Sequence, residues 1–253
     1  MGTLAANLIS FWELEDSANG TRLDSVVASA HDLTDVGSSV GRTTGIVGFG
    51  SEHVRFNGEL LSVASAANLQ IGDGSTVSYN FSVSGWVNLA SKPAGSMDPF
   101  GKDGSTDGEY QMWWDTSDRF GFDIYDAGGT TCYTKTADTL GAPSLSTWYL
   151  LTATYSTGSD ILTLYVNATS QGTAGRAGGT GYPGDASNFG IGSRPENRVS
   201  NSWDGAIDQV GFWRRALSAD EVSYLYNAGA GRTYAEIAAA DVGGASAPMF
   251  RGS

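Results

Sequence analysis

The stretch Trp203-Asp-Gly-Ala-Ile-Asp-Gln-Val-Gly-Phe-Trp-Arg-Arg-Ala-Leu217, followed at once by Ser218-Ala-Asp-Glu221, decides the fold. Residues 207–213 carry Ile, Val, Phe and Trp, side chains that favour a pleated backbone. Ser218-Ala-Asp-Glu221 has capping-box spacing: the serine accepts from a first-turn amide and the glutamate reaches back to the serine's own amide. Val222, Leu225 and Tyr226 then form an apolar stripe at helical spacing, and Gly229 is expected to stop the helix. A strand therefore runs into one short helix near residues 218–228, read as a plug over one end of the domain.

Working outward, the other segments also read as strands. Residues 8–14 place Leu8, Ser10, Trp12 and Leu14 on one face, and residues 54–63 are broken by Asn57-Gly58. Phe81-Ser-Val-Ser-Gly-Trp-Val87 alternates before turning apolar. Residues 110–114 and 120–125 form a hairpin around Thr116-Ser-Asp-Arg119, and residues 148–155 and 161–166 another around Thr157-Gly-Ser-Asp160. With 35 glycines marking the turns, 253 residues read as a single all-β domain, a two-sheet antiparallel sandwich. Trp12, Trp86, Phe122, Trp148, Tyr165 and Phe212 are expected to be largely buried. Gly-rich residues 172–185 are expected as a surface loop. The domain is drawn over 1–237, and the Ala/Gly/Ser-rich residues 238–253 are read as an arm that docks on a partner.

Charge and composition exclude several functions. A net charge of −13 argues against nucleic acid and against anionic membranes, both of which need a basic surface. No apolar run approaches membrane-spanning length, so no membrane insertion is expected. The lone Cys132 can form no intrachain disulfide and reads as an inert strand residue. With only His31 and His53, a hydrolytic triad and a histidine-rich zinc site are poorly supported. The N-terminus lacks the basic and apolar regions of a secretory signal.

Several segments together resemble a known family. They are Leu8-Ile-Ser-Phe-Trp-Glu-Leu-Glu-Asp16, Arg55-Phe-Asn-Gly58, Phe81-Ser-Val-Ser-Gly-Trp86, Trp148-Tyr-Leu-Leu-Thr-Ala-Thr-Tyr155, Leu162-Thr-Leu-Tyr-Val-Asn167 and the 203–229 region. They are similar to the laminin-G-like, concanavalin-A-like lectin and glucanase jelly rolls, over about residues 8–229. The chain departs from that pattern at Asn57 and at Asn167-Ala168, where the family usually has Asp in its turns. The resemblance implies a jelly roll that binds glycans, proteins or calcium, or simply builds larger assemblies. It places a structural calcium ligand at Asp208, with Glu13 nearby; the alternative is an aspartate that bonds neighbouring backbone amides. Relatives that cleave polysaccharides resemble one another in a strand with three acids at alternate positions, which share a face and can flank a glycosidic bond. Here Glu13-Leu-Glu15 offers two, and Asp123-Ile-Tyr-Asp126 has the wrong parity, so no catalytic residue is assigned and no enzyme is expected.

The hairpin supplies the candidate ligand site. Tyr110, Met112, Trp114, Phe120, Phe122 and Ile124 point inward, and Gln111, Trp113, Asp115, Asp123 and Tyr125 outward. Pairing Trp113 with Asp123 and Gln111 with Tyr125 sets Trp113 and Tyr125 on a diagonal, roughly 7–8 Å apart. Aromatic faces beside Asp and Gln suit sugar rings; the alternative covers Trp113 with a loop or a neighbouring subunit. Arg194-Pro-Glu-Asn-Arg198 reads as a charged, solvated turn, with a rim contact as the other option.

The expected function is therefore a non-enzymatic binding or structural module. The leading context is a virion or other extracellular assembly, such as a phage capsid decoration or tail protein. There the chain would belong to an oligomer and meet assembly partners through its arm, or cell-surface glycan. A stand-alone carbohydrate-binding lectin is the rival, and a glycoside hydrolase a weaker one.

Overall fold

The computed structural model describes residues 3–15, 21–26, 31–37, 41–44, 52–72, 79–102, 108–126, 129–178, 187–195 and 201–240. They form two eight-stranded sheets whose paired strands all run antiparallel. Sheet I has the order β14 (Thr169–Gly175), β13 (Ile161–Val166), β12 (Trp148–Ser156), β7 (Phe81–Leu89), β16 (Asp204–Trp213), β5 (Glu52–Asn57) and β4 (Gly41–Thr44). Its eighth strand, β1 (Leu8–Trp12), pairs with the end of β16 from Val210 to Trp213. Sheet II has the order β11 (Thr131–Thr136), β10 (Arg119–Tyr125), β9 (Tyr110–Asp115), β8 (Met97–Lys102), β15 (Phe189–Ile191), β6 (Leu61–Val63), β3 (Leu33–Asp35) and β2 (Thr21–Arg22). The Asn57-Gly58 break is where the chain leaves one sheet for the other, and Gly58 takes a φ of +94° there, a conformation open to glycine. The expected two-sheet antiparallel sandwich is present.

The inner faces meet around Phe81. Its ring stacks on Phe212 at 6.1 Å within sheet I and packs against Tyr110 and Phe122 of sheet II at 5.6 and 6.2 Å. Such ring pairs add roughly 0.5–1.5 kcal/mol each beyond area burial, so this cluster fastens one sheet to the other. Trp12, Phe122 and Phe212 are buried there as expected.

A third layer lies on the outer face of sheet I. Helix α1 (Ala219–Tyr226) starts at the Ser218 capping box and ends at Asn227 in the left-handed conformation. A second helix, α2 (Tyr234–Ala239), starts at a capping box of Thr233 and Glu236. Val222, Leu225 and Ile237 pack with Leu8, Phe11, Trp86, Leu150 and Trp213. The single plug over one end is thus corrected: two short helices cover a sheet face. Trp86 is buried, but in this layer, stacked on Tyr226 at 5.8 Å rather than between the sheets. Trp148 and Tyr165, expected to be largely buried, are half-buried at the border of the helical cover. Leu8 belongs to the outer layer and Trp12 and Leu14 to the inner one, because a bulge between Leu8 and Ser10 breaks the alternation assumed for residues 8–14.

The glycine-rich segment from Gly172 is partly strand, since β14 runs to Gly175; residues 179–185 lie outside the described set. The boundary drawn after residue 237 falls inside α2, and Leu4 N donates to Ala240 O. The arm beyond Ala240 lies outside the described residues. No helix among the described residues is long and apolar enough to cross a membrane.

Candidate functional site

Strands β8, β9 and β10 carry a groove of about 230 Å³ on the outer face of sheet II. Its walls are Ser96, Asp98, Gln111, Trp113, Asp115, Asp123, Arg194 and Asn201. The outward set expected for the hairpin is correct in parity but wrong in register. Gln111 faces Asp123, Trp113 faces Gly121 and Asp115 faces Arg119. The turn is three residues long, with Asp118 at φ +58°, rather than the four residues of Thr116-Ser-Asp-Arg119. The pairing slides by two residues, Trp113 meeting Gly121 instead of Asp123, and a shift of two keeps every side chain on its face. Tyr125 therefore sits four residues beyond Trp113's partner, roughly 13 Å along the strand. It is not on Trp113's diagonal and does not line the groove; its hydroxyl donates to Asp123 Oδ2 at 3.3 Å.

Trp113 is only 9% exposed, so it forms the groove floor and is not an open stacking platform. Its six-membered ring lies across Gly121, where any Cβ would fall within 2.1 Å of the indole. Arg194 closes one side. Its Nε donates to Asp98 Oδ2 at 2.8 Å and to Gln111 Oε1 at 3.1 Å, and its Nη2 donates to Gln111 Oε1 at 2.6 Å. The segment read as a solvated turn thus supplies a structural guanidinium at Arg194; residues 196–198 lie outside the described set. Burial pushes the Asp123 carboxyl above its ordinary value, against the opposing pull of Trp113, Thr134, Tyr125 and Arg194.

Asp98, Ser96 and Asn201 were not legible as site residues. Met97-Asp-Pro-Phe-Gly-Lys102 has a proline and no alternation, so it carries no strand signal, and a bulge between Met97 and Phe100 shifts its pairing with β9.

Asp208 lies on the opposite side of the molecule, cross-strand from Trp86 and fully buried beneath the helical layer. Apart from a contact with the Gln209 backbone N–H, neither carboxylate oxygen has a hydrogen-bonding partner. Burial, then the charges of Glu15 and Glu13, hold its carboxyl well above the ordinary carboxylate range. Glu13 is nearby as expected, but its oxygens accept from Ser25 Oγ at 3.1 Å and from the Tyr234 backbone N–H at 2.9 Å. An orphaned buried carboxylate is the kind of oxygen ligand a hard cation such as calcium takes, and Glu15 and Glu13 add only their charge at a distance. Among the described residues no three acidic, histidine or cysteine side chains converge, so such an ion would draw its other ligands from backbone carbonyls and water.

The remaining chemical groups are structural. Ser10 Oγ lies 2.6 Å from His31 Nδ1, and Asp24 Oδ2 lies 3.6 Å from the same nitrogen. A Ser–His–Asp relay needs the serine and the aspartate on opposite ring nitrogens, so this cluster is not one. Cys132 is buried, and burial raises its thiol, leaving it inert.

The fold has known relatives. The binding domain of Paraclostridial mosquitocidal protein 1 superposes with a TM-score of 0.68 at 15% identity, covering 89% of this chain and 53% of that one. The receptor-binding domain of botulinum neurotoxin D gives 0.63 at 14% identity, covering 90% of this chain and 54% of that one. Domain 4 of an extracellular arabinanase from Geobacillus stearothermophilus, in complex with arabinotriose, gives 0.58 at 16% identity, covering 86% of this chain and 97% of that one. This chain spans about half the length of the two toxin domains and nearly all of the arabinanase domain. No curated protein matches it in sequence. The sequence profile of the family does match, over residues 63–223, well beyond half of the chain. With a lectin-like sandwich and that match, the chain belongs to the concanavalin A-like lectin/glucanases superfamily, in its laminin-G type.

Proposed function

We propose that the chain is a non-catalytic carbohydrate-binding module whose ligand enters the groove between β8, β9 and β10. The observation that carries this reading is the Arg194 guanidinium bridging Asp98 and Gln111 beside Trp113. It fixes a carboxylate and an amide, groups that pair with sugar hydroxyls, on rigid strands. The arabinanase domain that holds arabinotriose and shares this fold supports the same reading. Hydrogen bonding, not open stacking, is the recognition mode, because so little of Trp113 is exposed. A glycan array tests it: specific glycans should be retained, and Gln111→Ala should abolish retention without unfolding the domain. Incubation with the retained glycan should release no new reducing ends; release would restore the glycosidase reading.

Calcium at Asp208 is a separate proposal. Asp208 would hold the ion with help from Glu13, and the ion would offset a buried negative charge that otherwise lacks a cation. The virion or extracellular-assembly context is likewise proposed, as the role of residues 241–253. The last described tie is Leu4 N to Ala240 O, so truncation after Ala240 should preserve folding. Loss of particle attachment or oligomer on truncation supports that context, and unchanged assembly overturns it.

A further inference from the structure

We infer that the groove selects saccharides without acidic groups and rejects sialylated or uronate-bearing ones. This rests on the carbohydrate reading of the groove and adds the class of ligand. The argument is a balance of charge and of hydrogen-bonding roles. Among the described residues, three carboxylates, Asp98, Asp115 and Asp123, face the groove, against one guanidinium. Arg194 is spent on Asp98 and Gln111. The neighbouring cations are also engaged: Arg119 donates to the Ser117 and Asp118 carbonyls, Lys92 pairs with Asp118 and Lys135 with Asp138. Among the described residues, Asp115 and Asp123 therefore have no ion-pair partner.

The consequence follows from what carboxylates do. Ionised, they accept hydrogen bonds and donate none. A neutral pyranose or furanose supplies hydroxyl donors to them. A sialic acid or uronate would bring a further carboxylate beside them, a like-charge contact in a partly desolvated cleft. Burial raises the Asp123 carboxyl while Arg194 and its hydrogen-bond donors oppose the shift, so the cleft beside it is partly desolvated and a further anion there would meet little water to screen it.

The test is an array of matched pairs at near-neutral pH: lactose-terminated glycans with their sialylated forms, and neutral pentose or hexose oligomers with uronate oligomers of the same length. Neutral members should bind, and their acidic partners should bind about tenfold or more weakly. The double variant Asp115→Asn/Asp123→Asn should shrink that gap to about threefold or less, with its melting temperature checked against wild type. Equal or tighter binding of the acidic members, or a gap that the double variant leaves intact, overturns the inference while the saccharide reading stands. Failure to bind any glycan refutes the saccharide reading, and this inference with it.

Discussion

The Trp113 indole lies across Gly121 of the adjoining strand, so close that a Cβ on Gly121 would come within 2.1 Å of the ring. The glycine is a seat: only a residue without a side chain lets the ring lie down and leave the groove open above it. Gly121→Ala should lift the ring into the groove. The expected outcome is a stability loss of about 1–3 kcal/mol and loss of glycan retention, with the far-ultraviolet spectrum preserved. Retention at wild-type strength would show that the ring can be accommodated elsewhere and that its seat does not shape the site.

Asp208 gives a prediction on calcium. A buried carboxylate with orphaned oxygens is destabilising when ionised and is relieved by a bound cation. Millimolar calcium should raise the wild-type melting temperature, and magnesium should do so less, since it sheds its water reluctantly. Asp208→Asn should be as stable as wild type or more so without calcium, and should lose the calcium response. A calcium response that survives in the variant would place the ion elsewhere.

Glu221 gives a prediction on pH. Its oxygens accept from Arg215 Nη1 and Nη2 at 2.8 and 2.7 Å and from the Ser218 amide at 2.8 Å. Arg215 also donates to the Ala6 and Leu4 carbonyls, so the pair ties α1 to the N-terminal segment. Burial raises the Glu221 carboxyl, but the Arg215 and Ser218 contacts outweigh it, and the net value is below the ordinary 4.5. A lowered folded pKa contributes stability that is present above the unfolded value and lost as pH falls through the folded one. Glu221→Gln should therefore cost about 2 kcal/mol at neutral pH, from cap and charge-assisted bonds together. The difference from wild type should shrink below about pH 4.5, and a constant difference down to strongly acid pH would contradict this assignment.

The sequence made the architecture legible because a sandwich is written in short range. Alternation marked β7, β9, β10, β12 and β13, and the serine–glutamate spacing marked α1. The capping box at Thr233 and Glu236 was equally readable, yet α2 is only six residues long and has no apolar stripe to draw attention. Face and register were less legible. Trp86 reads as core from its hydrophobicity alone, and only the helical layer decides that its cover lies outside the sandwich. The hairpin parity followed from period two, but the pairing depended on where the turn is centred, and a partner displaced by two residues leaves parity untouched. In the site, Gln111, Trp113 and Asp123 were found because they alternate on a strong strand. Asp98 and Asn201 were not, since nothing local marks residues brought together by a bulge and a distant loop. Residues 241–253 lie outside the described set, so the arm stays an expectation.

The last prediction concerns what holds β8 to β9, the two strands that bring Asp98, Gln111 and Trp113 together. Lys102 Nζ and Glu109 Oε1 form an ion pair at 2.8 Å, with both side chains fully buried, next to the main-chain bond from Glu109 N to Lys102 O. Glu109 Oε2 also accepts from the Ile71 backbone N–H at 2.7 Å, so the carboxylate fastens a third segment. Burying two charges is costly, and each partner of the pair offsets the other's charge. Lys102→Met should leave the buried Glu109 charge without the lysine's, at a cost of about 3–5 kcal/mol. Glu109→Gln should harm less than the lysine variant if the amide oxygen still takes the Ile71 proton. The double variant Lys102→Met/Glu109→Gln removes both charges and keeps an acceptor for Ile71, so it should recover most of the loss. Denaturant melts of the four proteins give the coupling energy directly. Glycan retention should follow the same order, lost in Lys102→Met and restored in the double variant, because the groove depends on the β8–β9 alignment and not on the charges themselves. Simple addition of the two single losses would mean that the pair is not acting as a unit, and would remove it as a clamp between β8 and β9.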